Sequence, residues 1–310
     1  MRKPRALAPG DRIAVVAPAS PFARDQFELG VAELRALGFT AVYDDSVFAR
    51  DGFIAGPGAV RAAAWMRAWT DPSIAALVAV RGGYGSVHLL PFLDCETVRR
   101  TPKAFIAYSD NTSLLSWLTL ACGIVSFHGP MLAARFARGH AGYDRDTFER
   151  CLCRAEPAGE ITHAGVEIVR AGEAAGMLVG GTLTQIAASL GTPYAFAPPD
   201  GCVLFLEDIG ERPYRLDRML TQLQLAGVLR RASALVFGEM HECTEPDGTT
   251  TSRAVVERMT ADFAGPVLFG LPSGHTAGPT LTLPFGVGAR VLATSRPALV
   301  IEEAAVTSGS

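Results

Sequence analysis

The chain has almost no lysine and no block of like charge. Lys3 and Lys103 are its only lysines, so arginine carries most of the positive charge. The formal net charge of the 310 residues is −3, and both signs are spread along the chain. A protein that follows the phosphates of a nucleic acid needs a concentrated basic surface. We therefore expect no nucleic-acid partner.

Long apolar runs and paired cysteine motifs are also missing. The first apolar run, Ile13–Ala17, is too short for the core of a signal peptide. No run approaches the ~20 apolar residues that a membrane-spanning helix needs. The six cysteines include no C-x-x-C pair, which suits a reducing compartment. We expect a cytoplasmic protein with no membrane partner.

The common cofactor and metal motifs are absent as well. A glycine-rich segment, Arg81–Gly85, follows a predicted strand but lacks the G-x-G-x-x-G spacing. The chain has no H-E-x-x-H and no close group of His and Asp at ligand spacing. We expect no cofactor and no metal. A nicotinamide dinucleotide at the glycine-rich segment is a weak alternative, which a binding assay in solution tests.

What the chain does have is a high apolar content, with 49% hydrophobic and 19% charged residues, as in packed globular proteins. In its first half, strand patterns alternate with helix patterns, which favours a doubly wound parallel sheet in an α/β fold. The strands predicted there are Ile13–Ala17, Ala41–Tyr43, Ile74–Val80, Ala104–Tyr108 and Ile124–Phe127. The helices predicted between them end at Gly38 and at Trp69.

The length allows two compact domains. We assign residues 1–140 to an N-terminal α/β domain, 141–165 to a linker and 166–310 to a second domain. The second half has more turns and shorter strand patterns, which suggests an α+β or barrel-like unit, and the tail Thr307–Ser310 is predicted to be disordered. The strands predicted in this half are Cys202–Leu206, Ala234–Phe237, Val267–Gly270, Arg290–Ala293 and Ala298–Ile301. The helices predicted in it are Thr182–Leu190, Arg215–Ala226 and Arg253–Phe263.

Ser109 lies at the corner between the predicted strand Ala104–Tyr108 and an apolar-periodic helix. A serine on such a turn projects from the sheet, and the backbone N–H groups that follow point at whatever it attacks. The helix N-terminus adds positive potential where an oxyanion would form. A helix-capping role explains the same local pattern without chemistry. The choice therefore depends on whether Ser109 has catalytic partners.

A serine nucleophile needs a histidine base and a carboxylate that orients the base. His275, in a turn-rich loop, and His128, at a strand end, are both candidates for the base, and we favour His275 only slightly. Glu207 follows an apolar strand, where a carboxylate can be partly desolvated and firmly aimed. The alternative for Glu207 is a simple exit of the chain to solvent.

The glycine-rich segment can contribute to the same site, because ligands lie at the carboxyl ends of parallel strands. An oxyanion hole needs two converging N–H donors. The N–H of Asp110 is one candidate donor, and that of Gly83, or of Gly82 in its place, is the other. A plain glycine turn is the alternative interpretation of this segment.

Several segments, in order along the chain, resemble the LD-carboxypeptidase family of serine peptidases, which includes muramoyltetrapeptide carboxypeptidases and microcin C immunity peptidases. The segments are Arg81–Ser86, Tyr108–Thr112, His128–Pro130, Gly180–Leu183, Gly191–Tyr194, Leu206–Asp208, Tyr214, Asp217–Arg218 and Pro272–His275. Together they span most of the chain. The resemblance implies a flavodoxin-like N-terminal domain, a smaller β-rich C-terminal domain and a homodimer.

The resemblance also implies a triad of Ser109, His275 and Glu207, placed in a cleft between the two domains. The implied reaction is release of the terminal D-alanine from murein tetrapeptides during peptidoglycan recycling. An enzyme of this kind must recognise a free carboxylate, for which Arg81 and Arg215 are candidates because guanidinium offers two parallel donors.

Further expectations follow from the resemblance. Tyr84 is a candidate substrate contact. Thr182 stands where most relatives are expected to have asparagine, and we expect this difference to leave the triad untouched. Two alternatives stay open at this point. One is a microcin C immunity-type peptidase that cleaves a peptidyl-nucleotide amide, and the other is a non-catalytic, two-lobed peptide-binding protein.

Overall fold

Two β-sheets organise the chain in the computed structural model, which describes residues 1–309. The strands are β1 (Arg12–Val16), β2 (Thr40–Val42), β3 (Ala76–Ala79), β4 (Ala104–Ala107), β5 (Ser126–His128), β6 (Pro157–Ile161), β7 (Glu167–Arg170), β8 (Gly172–Thr182), β9 (Cys202–Glu207), β10 (Ala232–Gly238), β11 (Val267–Leu271), β12 (Leu283–Phe285), β13 (Gly288–Ala293) and β14 (Ala298–Ala304). The α-helices are α1 (Arg24–Ala36), α2 (Gly58–Thr70), α3 (Cys95–Arg100), α4 (Thr112–Ser116), α5 (Arg145–Leu152), α6 (Leu183–Ser189), α7 (Pro213–Leu225) and α8 (Ser252–Met259).

The first sheet has the strand order β12-β5-β4-β3-β1-β2. Strands β1 to β5 run parallel to one another, in the order 2-1-3-4-5 that defines the flavodoxin-like arrangement. Strands β3 and β4 are buried along their whole length, because helices and loops cover both faces of the sheet. The prediction of a doubly wound, flavodoxin-like sheet is confirmed, and all five predicted strands are present.

The second sheet has the order β6-β14-β13-β8-β9-β10-β11-β7. Strands β8 to β11 are parallel, and the outer strands pair antiparallel to their neighbours. The β-rich prediction is confirmed, but this sheet is open, with β6 and β7 at its edges, and is not closed into a barrel. The five strands and three helices predicted in this half are present, with ends displaced by no more than four residues.

Sequence patterns missed β6, β7, β8 and β12. The longest of these, β8, reads GEAAGMLVGGT, and its glycines and alanines have weak strand propensity. It nevertheless lies inside the second sheet, between β13 and β9. Hydrogen bonds to both neighbours, and not the local preference of its residues, hold it extended.

Strand β12 connects the two halves of the molecule. It comes from the second half of the chain but pairs antiparallel with β5 in the first sheet, with Leu283 opposite His128. One apolar core contains buried residues from both halves, including Ile13 of β1 and Ile301 of β14. The predicted linker, residues 141–165, contains α5 and β6. The domain boundaries at 140 and 165 stay a prediction.

Thr307 lies beside the first residues of the chain. The N–H of Thr307 donates to the carbonyl of Pro4 at 2.9 Å, so this residue of the tail has a defined partner, contrary to the expected disorder. Ser310, the last residue of that tail and of the predicted second domain, lies outside the described residues. Among residues 1–309, no helix is long and apolar enough to span a membrane.

Candidate active site

Ser109 occupies the sharp turn that its sequence context predicts. Strand β4 ends at Ala107, and a short 3₁₀ turn, Ser109–Asn111, leads directly into α4. Ser109 has φ of +64°, in the left-handed region that residues other than glycine rarely adopt. Such strained backbone is held only where the surroundings enforce it, and it is concentrated at functional sites. The turn places the serine at the carboxyl end of the parallel sheet.

The glycine-rich loop between β3 and Ser86 packs directly against this serine. A Cβ atom on Gly82 would lie 2.7 Å from both Cβ and Oγ of Ser109, so only glycine fits there. The same position is 3.4 Å from the backbone nitrogen of Asp110. In the part of the chain that the structure describes, the N–H groups of Gly82 and Gly83 donate no hydrogen bond. Both glycine N–H groups thus remain candidates for binding an oxyanion.

The carboxylate of Asp110 has a structural task. It is buried, and its Oδ2 accepts a hydrogen bond from the backbone N–H of Ser86 at 2.8 Å. The Ser86 hydroxyl in turn donates to the backbone carbonyl of Asp110 at 2.6 Å. Burial raises the pKa of the Asp110 carboxyl. These bonds tie the turn after β4 to the loop after β3, which fixes Ser109 relative to the glycines.

Glu207 and His275 form the central contact of the site. Glu207 ends β9 and is fully buried, and its Oε2 accepts from the His275 Nδ1 at 2.8 Å and from the His275 backbone N–H at 2.9 Å. The His275 side chain is 16% exposed, so its other ring nitrogen can meet a ligand. A carboxylate that binds Nδ1 fixes the tautomer in which Nε2 can accept a proton.

Glu207 and His275 each stabilise the charged form of the other. Burial by itself would raise the pKa of Glu207, but the charge of His275, the neighbouring His128 and the hydrogen bond from His275 lower it overall. Burial would lower the pKa of His275, but the Glu207 charge and hydrogen bond raise it overall. Burial and the Glu207 charge raise the pKa of the neighbouring Asp208 to about 6. Glu207 is therefore ionised at neutral pH and favours the imidazolium form of His275.

Ser109 follows a tyrosine whose ring contacts the ring of His275. The ring of Tyr108, the residue before Ser109, lies edge-on to the His275 ring with centroids 5.0 Å apart. Among residues 1–309, no hydrogen bond joins the Ser109 hydroxyl to His275, whose ring is bonded to Glu207. Serine–histidine bonds of this kind are often long before substrate binds. The structure joins Glu207 and His275 directly, and it links Ser109 to them through the ring contact of the preceding Tyr108.

His128, the other candidate base, lies behind the carboxylate. It is fully buried, its Nδ1 is 3.0 Å from the Ser273 hydroxyl, and its Nε2 is 3.8 Å from Glu207 Oε1. A base must reach both the serine and solvent-borne substrate, and a ring with no exposed surface cannot. The geometry therefore favours His275 over His128.

Arg135 is a residue that the sequence did not indicate. Its buried guanidinium donates to loop carbonyls on both sides of His275, and its Nε donates to the Tyr108 hydroxyl at 3.3 Å. The loop carbonyls are those of Gly274 at 2.7 Å, Thr276 at 3.1 Å and Gly278 at 3.0 Å. Arg135 thus connects the residue before Ser109 with the loop of His275. Only its position just after the HGP segment could have hinted at this role.

The position of Thr182 shows that one prediction from the sequence was wrong. The threonine was expected to leave the triad untouched, but its hydroxyl donates to Glu207 Oε1. Its backbone N–H donates to Thr112 Oγ1 at 3.1 Å. The register of β8 and β9, which pairs Thr182 with Glu207, explains the contact. Sequence could not reveal it, because β8 itself was not predicted.

The three candidate substrate contacts lie on the surface. Arg81 donates to the carbonyl of Pro21 at 3.2 Å. Tyr84 is 46% exposed, and its ring lies 5.7 Å from that of Phe53. Arg215 at the start of α7 is engaged by its neighbours, with its Nε 3.2 Å from the Tyr214 hydroxyl.

The chain matches known proteins along most of its length. A family model described as the LD-carboxypeptidase N-terminal domain matches residues 13–129, and one described as the LD-carboxypeptidase C-terminal domain matches residues 175–291. The murein tetrapeptide carboxypeptidase of Pseudomonas aeruginosa is 31% identical over 275 residues, which cover 86% of this chain and 88% of that protein. The microcin C7 self-immunity protein MccF of Escherichia coli is 30% identical over 315 residues, which cover 91% and 90%.

Solved structures agree with these sequence matches. MccF in its wild-type apo state has a TM-score of 0.89 at 25% identity, covering 99% of this chain and 100% of that one. The muramoyltetrapeptide carboxypeptidase of Oxalobacter formigenes has a TM-score of 0.82 at 29% identity, covering 96% and 100%. Fold and relatives define a peptidase of the carboxypeptidase class. The chain belongs to the LD-carboxypeptidase family.

Proposed function

We propose that this enzyme is a serine LD-carboxypeptidase that releases the terminal D-alanine from murein tetrapeptides. The contact that carries the proposal is the 2.8 Å bond between Glu207 and His275, formed beside the strained turn of Ser109. The murein tetrapeptide carboxypeptidase of P. aeruginosa, which matches most of this chain, supports the substrate class.

In the proposed reaction, Ser109 Oγ attacks the carbonyl between diaminopimelate and D-alanine while His275 Nε2 takes its proton. Glu207 keeps the imidazole in the required tautomer and stabilises the imidazolium. The N–H groups of Asp110 and Gly83 bind the oxyanion, with Gly82 as the alternative to Gly83. Each donor lowers the activation barrier by ~3 kcal/mol. His275 then protonates the leaving amine, and water releases the acyl group from the serine.

Ser109→Ala tests the nucleophile. We expect release of D-alanine from a murein tetrapeptide to fall by at least about 10⁴-fold, because the attacking hydroxyl is gone while binding groups stay. Ser116→Ala, in the same helical segment, is the matched control and is expected to be as active as the wild type. A Ser109→Ala enzyme with normal turnover would refute the serine mechanism.

His275→Asn and His128→Gln distinguish the two candidate bases. The first is expected to lower kcat by about 10³-fold or more, since the proton acceptor is removed. The second is expected to lower thermal stability, since His128 is buried, and to change kcat by less than about tenfold. The reverse order of losses in kcat would assign the base role to His128.

A second substrate class has specific support. MccF matches the fold at a TM-score of 0.89, and one solved MccF structure holds aspartyl sulfamoyl adenosine. The exposed ring pair of Phe53 and Tyr84, beside the glycine-rich loop, offers a surface on which a planar base could stack. Parallel assays of D-alanine release from a tetrapeptide and of hydrolysis of an acyl-sulfamoyl adenylate decide between the two classes by kcat/KM.

The proposal includes a cytoplasmic role in peptidoglycan recycling and a homodimeric state. All six cysteines are free thiols in the structure, which a reducing compartment favours. Light scattering of the purified protein measures the oligomeric state, and a mass of one chain would reject the dimer. Cell fractionation tests the location.

A further inference from the structure

The two carboxylate oxygens of Glu207 are held by different parts of the molecule. Oε2 accepts two hydrogen bonds from His275. Oε1 faces Thr182 on β8 and His128 on β5, and the His128 Nε2 is 3.8 Å away, beyond hydrogen-bond distance. Within residues 1–309, the Thr182 hydroxyl is therefore the one hydrogen-bond donor to Oε1. Asp208, the next residue in the chain, is a further charged neighbour, and its Oδ2 is bonded to Thr184.

This hydroxyl restrains the carboxylate in a buried place. Glu207 has no exposed surface, so no bulk water can replace the missing donor to Oε1. The last torsion of a glutamate side chain is broad and weakly restrained by itself. A donor on Oε1 therefore helps decide where Oε2 points, and Oε2 is the atom that aims His275.

Thr182 also touches the segment that carries the nucleophile. Its N–H donates to Oγ1 of Thr112, the first residue of α4, three positions after Ser109. The preceding Gly181 makes room for this approach, because a Cβ atom there would lie 2.5 Å from the Thr112 methyl carbon. Backbone and hydroxyl of one residue thus contact both halves of the site.

We propose that Thr182 is a positioning residue, which sets the carboxylate of Glu207 and ties it to the turn of Ser109. The inference rests on the proposed function, in which Glu207 orients His275. The hydroxyl does not meet the substrate in this role. It acts on the reaction only through the geometry of the glutamate and the histidine.

Thr182→Val removes the hydroxyl and keeps the shape of the side chain. We expect kcat to fall about 10- to 100-fold, the loss that a hydrogen bond to a buried charge produces, while KM changes by no more than about twofold. Thr182→Ser, which keeps the hydroxyl, should restore kcat to within about threefold of the wild type. Thr260→Val is the matched control, because Thr260 is buried and its hydroxyl donates to a backbone carbonyl of α8 instead.

A measurement without substrate complements the kinetics. The proton on His275 Nδ1, shared with Glu207, is expected to give a far-downfield ¹H resonance, and this resonance should broaden or shift in Thr182→Val but not in Thr260→Val. Thermal unfolding shows whether each variant is folded. If Thr182→Val does not fold, Thr112→Val tests the tie to the nucleophile's turn, with an expected loss of about threefold in kcat.

The outcomes separate this inference from the proposed function. A fully active Ser109→Ala enzyme would reject the proposed function itself. If Ser109→Ala is inactive while Thr182→Val keeps wild-type kcat and an unchanged resonance, only the positioning role of Thr182 is rejected. Equal losses in the valine and serine variants would also reject it, because they would point to packing and not to the hydroxyl.

Discussion

The glycine-rich loop beside Ser109 and the loop that carries His275 are each held by a buried arginine, but over very different distances in the chain. Arg61 on α2 donates to the carbonyl of Gly85 in the first loop at 2.9 Å, only 24 positions along the chain, and also to the carbonyls of Pro18 and Gly56 in adjoining segments. Arg135 holds the second loop, whose carbonyls lie 139 to 143 positions further along the chain.

The difference shows how the two halves of the site are built. The surroundings of Ser109, the proposed nucleophile, are assembled within the first sheet, from loops that follow neighbouring strands. The proposed base, His275, belongs to the second half of the chain, which packs on the first through Arg135, Thr182 and strand β12. Substitutions on the nucleophile side should therefore act locally, whereas those on the base side should disturb the relation between the two halves.

Glu207→Gln is expected to give the largest effect on the base side, with a fall in kcat of about 10³- to 10⁴-fold, as for loss of the orienting acid in other triads. The pH profile should change too. His275 must be neutral to take the proton, so kcat/KM rises as pH passes its raised pKa. Without the Glu207 charge, burial is the largest influence left on His275 and lowers its pKa, helped by the Arg135 charge and opposed by that of Asp208, so the rise should move to lower pH.

The measurement for Glu207→Gln is kcat/KM against pH. Glu96→Gln is the control, because this glutamate is 72% exposed and pairs with Arg99 on the surface of α3. If kcat/KM of Glu207→Gln rises over the same pH range as that of the wild type, the charge coupling between Glu207 and His275 is contradicted.

Gly82→Ala is the matching change on the nucleophile side. The added methyl group would lie 2.7 Å from Ser109 Oγ and must displace the serine, so we expect about a 100-fold loss in kcat. Gly288→Ala serves as control, since a Cβ there would be 3.7 Å from its nearest neighbour, an ordinary contact. Normal turnover by Gly82→Ala would show that this loop does not border the reacting serine.

Arg135→Met tests whether the buried arginine holds the loop of His275 in place. Loss of the guanidinium leaves several buried carbonyls without a donor, so we expect a free energy of unfolding lower by about 2–4 kcal/mol. We also expect a drop in kcat of about tenfold, because the His275 loop is less well placed. Chemical denaturation and steady-state kinetics measure the two effects. Arg296→Met, on an 86% exposed side chain, should change neither.

The smallest expected effects concern the two surface arginines proposed to bind a substrate carboxylate. Arg215 is paired with Glu211 at 3.5 Å and with Tyr214, whereas Arg81 adjoins Gly82 in the loop against Ser109. We therefore expect Arg81→Ala to raise KM for the tetrapeptide about tenfold and Arg215→Ala by less than about twofold, with kcat unchanged in both. A larger KM effect for Arg215→Ala would reverse the assignment.

Much of the fold was predictable because its signals are local. The buried parallel strands β3 and β4 appear as unbroken apolar runs, and the turn at Ser109 follows from a strand that ends where a helix pattern begins. Strand β8 was missed because its glycines and alanines carry no local strand signal, and Thr182 was misjudged in consequence. The buried place of His128 has no signature in the sequence, and the role of Arg135 has only its position after His128–Pro130 as a hint, since both depend on contacts between distant segments.

The sequence by itself determined the strand and helix alternation of the first half, the strained corner at Ser109 and, through ordered motifs, the family. These are properties of neighbouring residues, whose backbone preferences and apolar periodicity act over a few positions. Only the tertiary structure decided that His275 is partly exposed while His128 is buried, and that Thr182 contacts Glu207 and Arg135 contacts the loop of His275. Those choices depend on which side chains the two sheets bring together, because the desolvation and hydrogen bonding that govern a buried carboxylate arise only after the halves have packed.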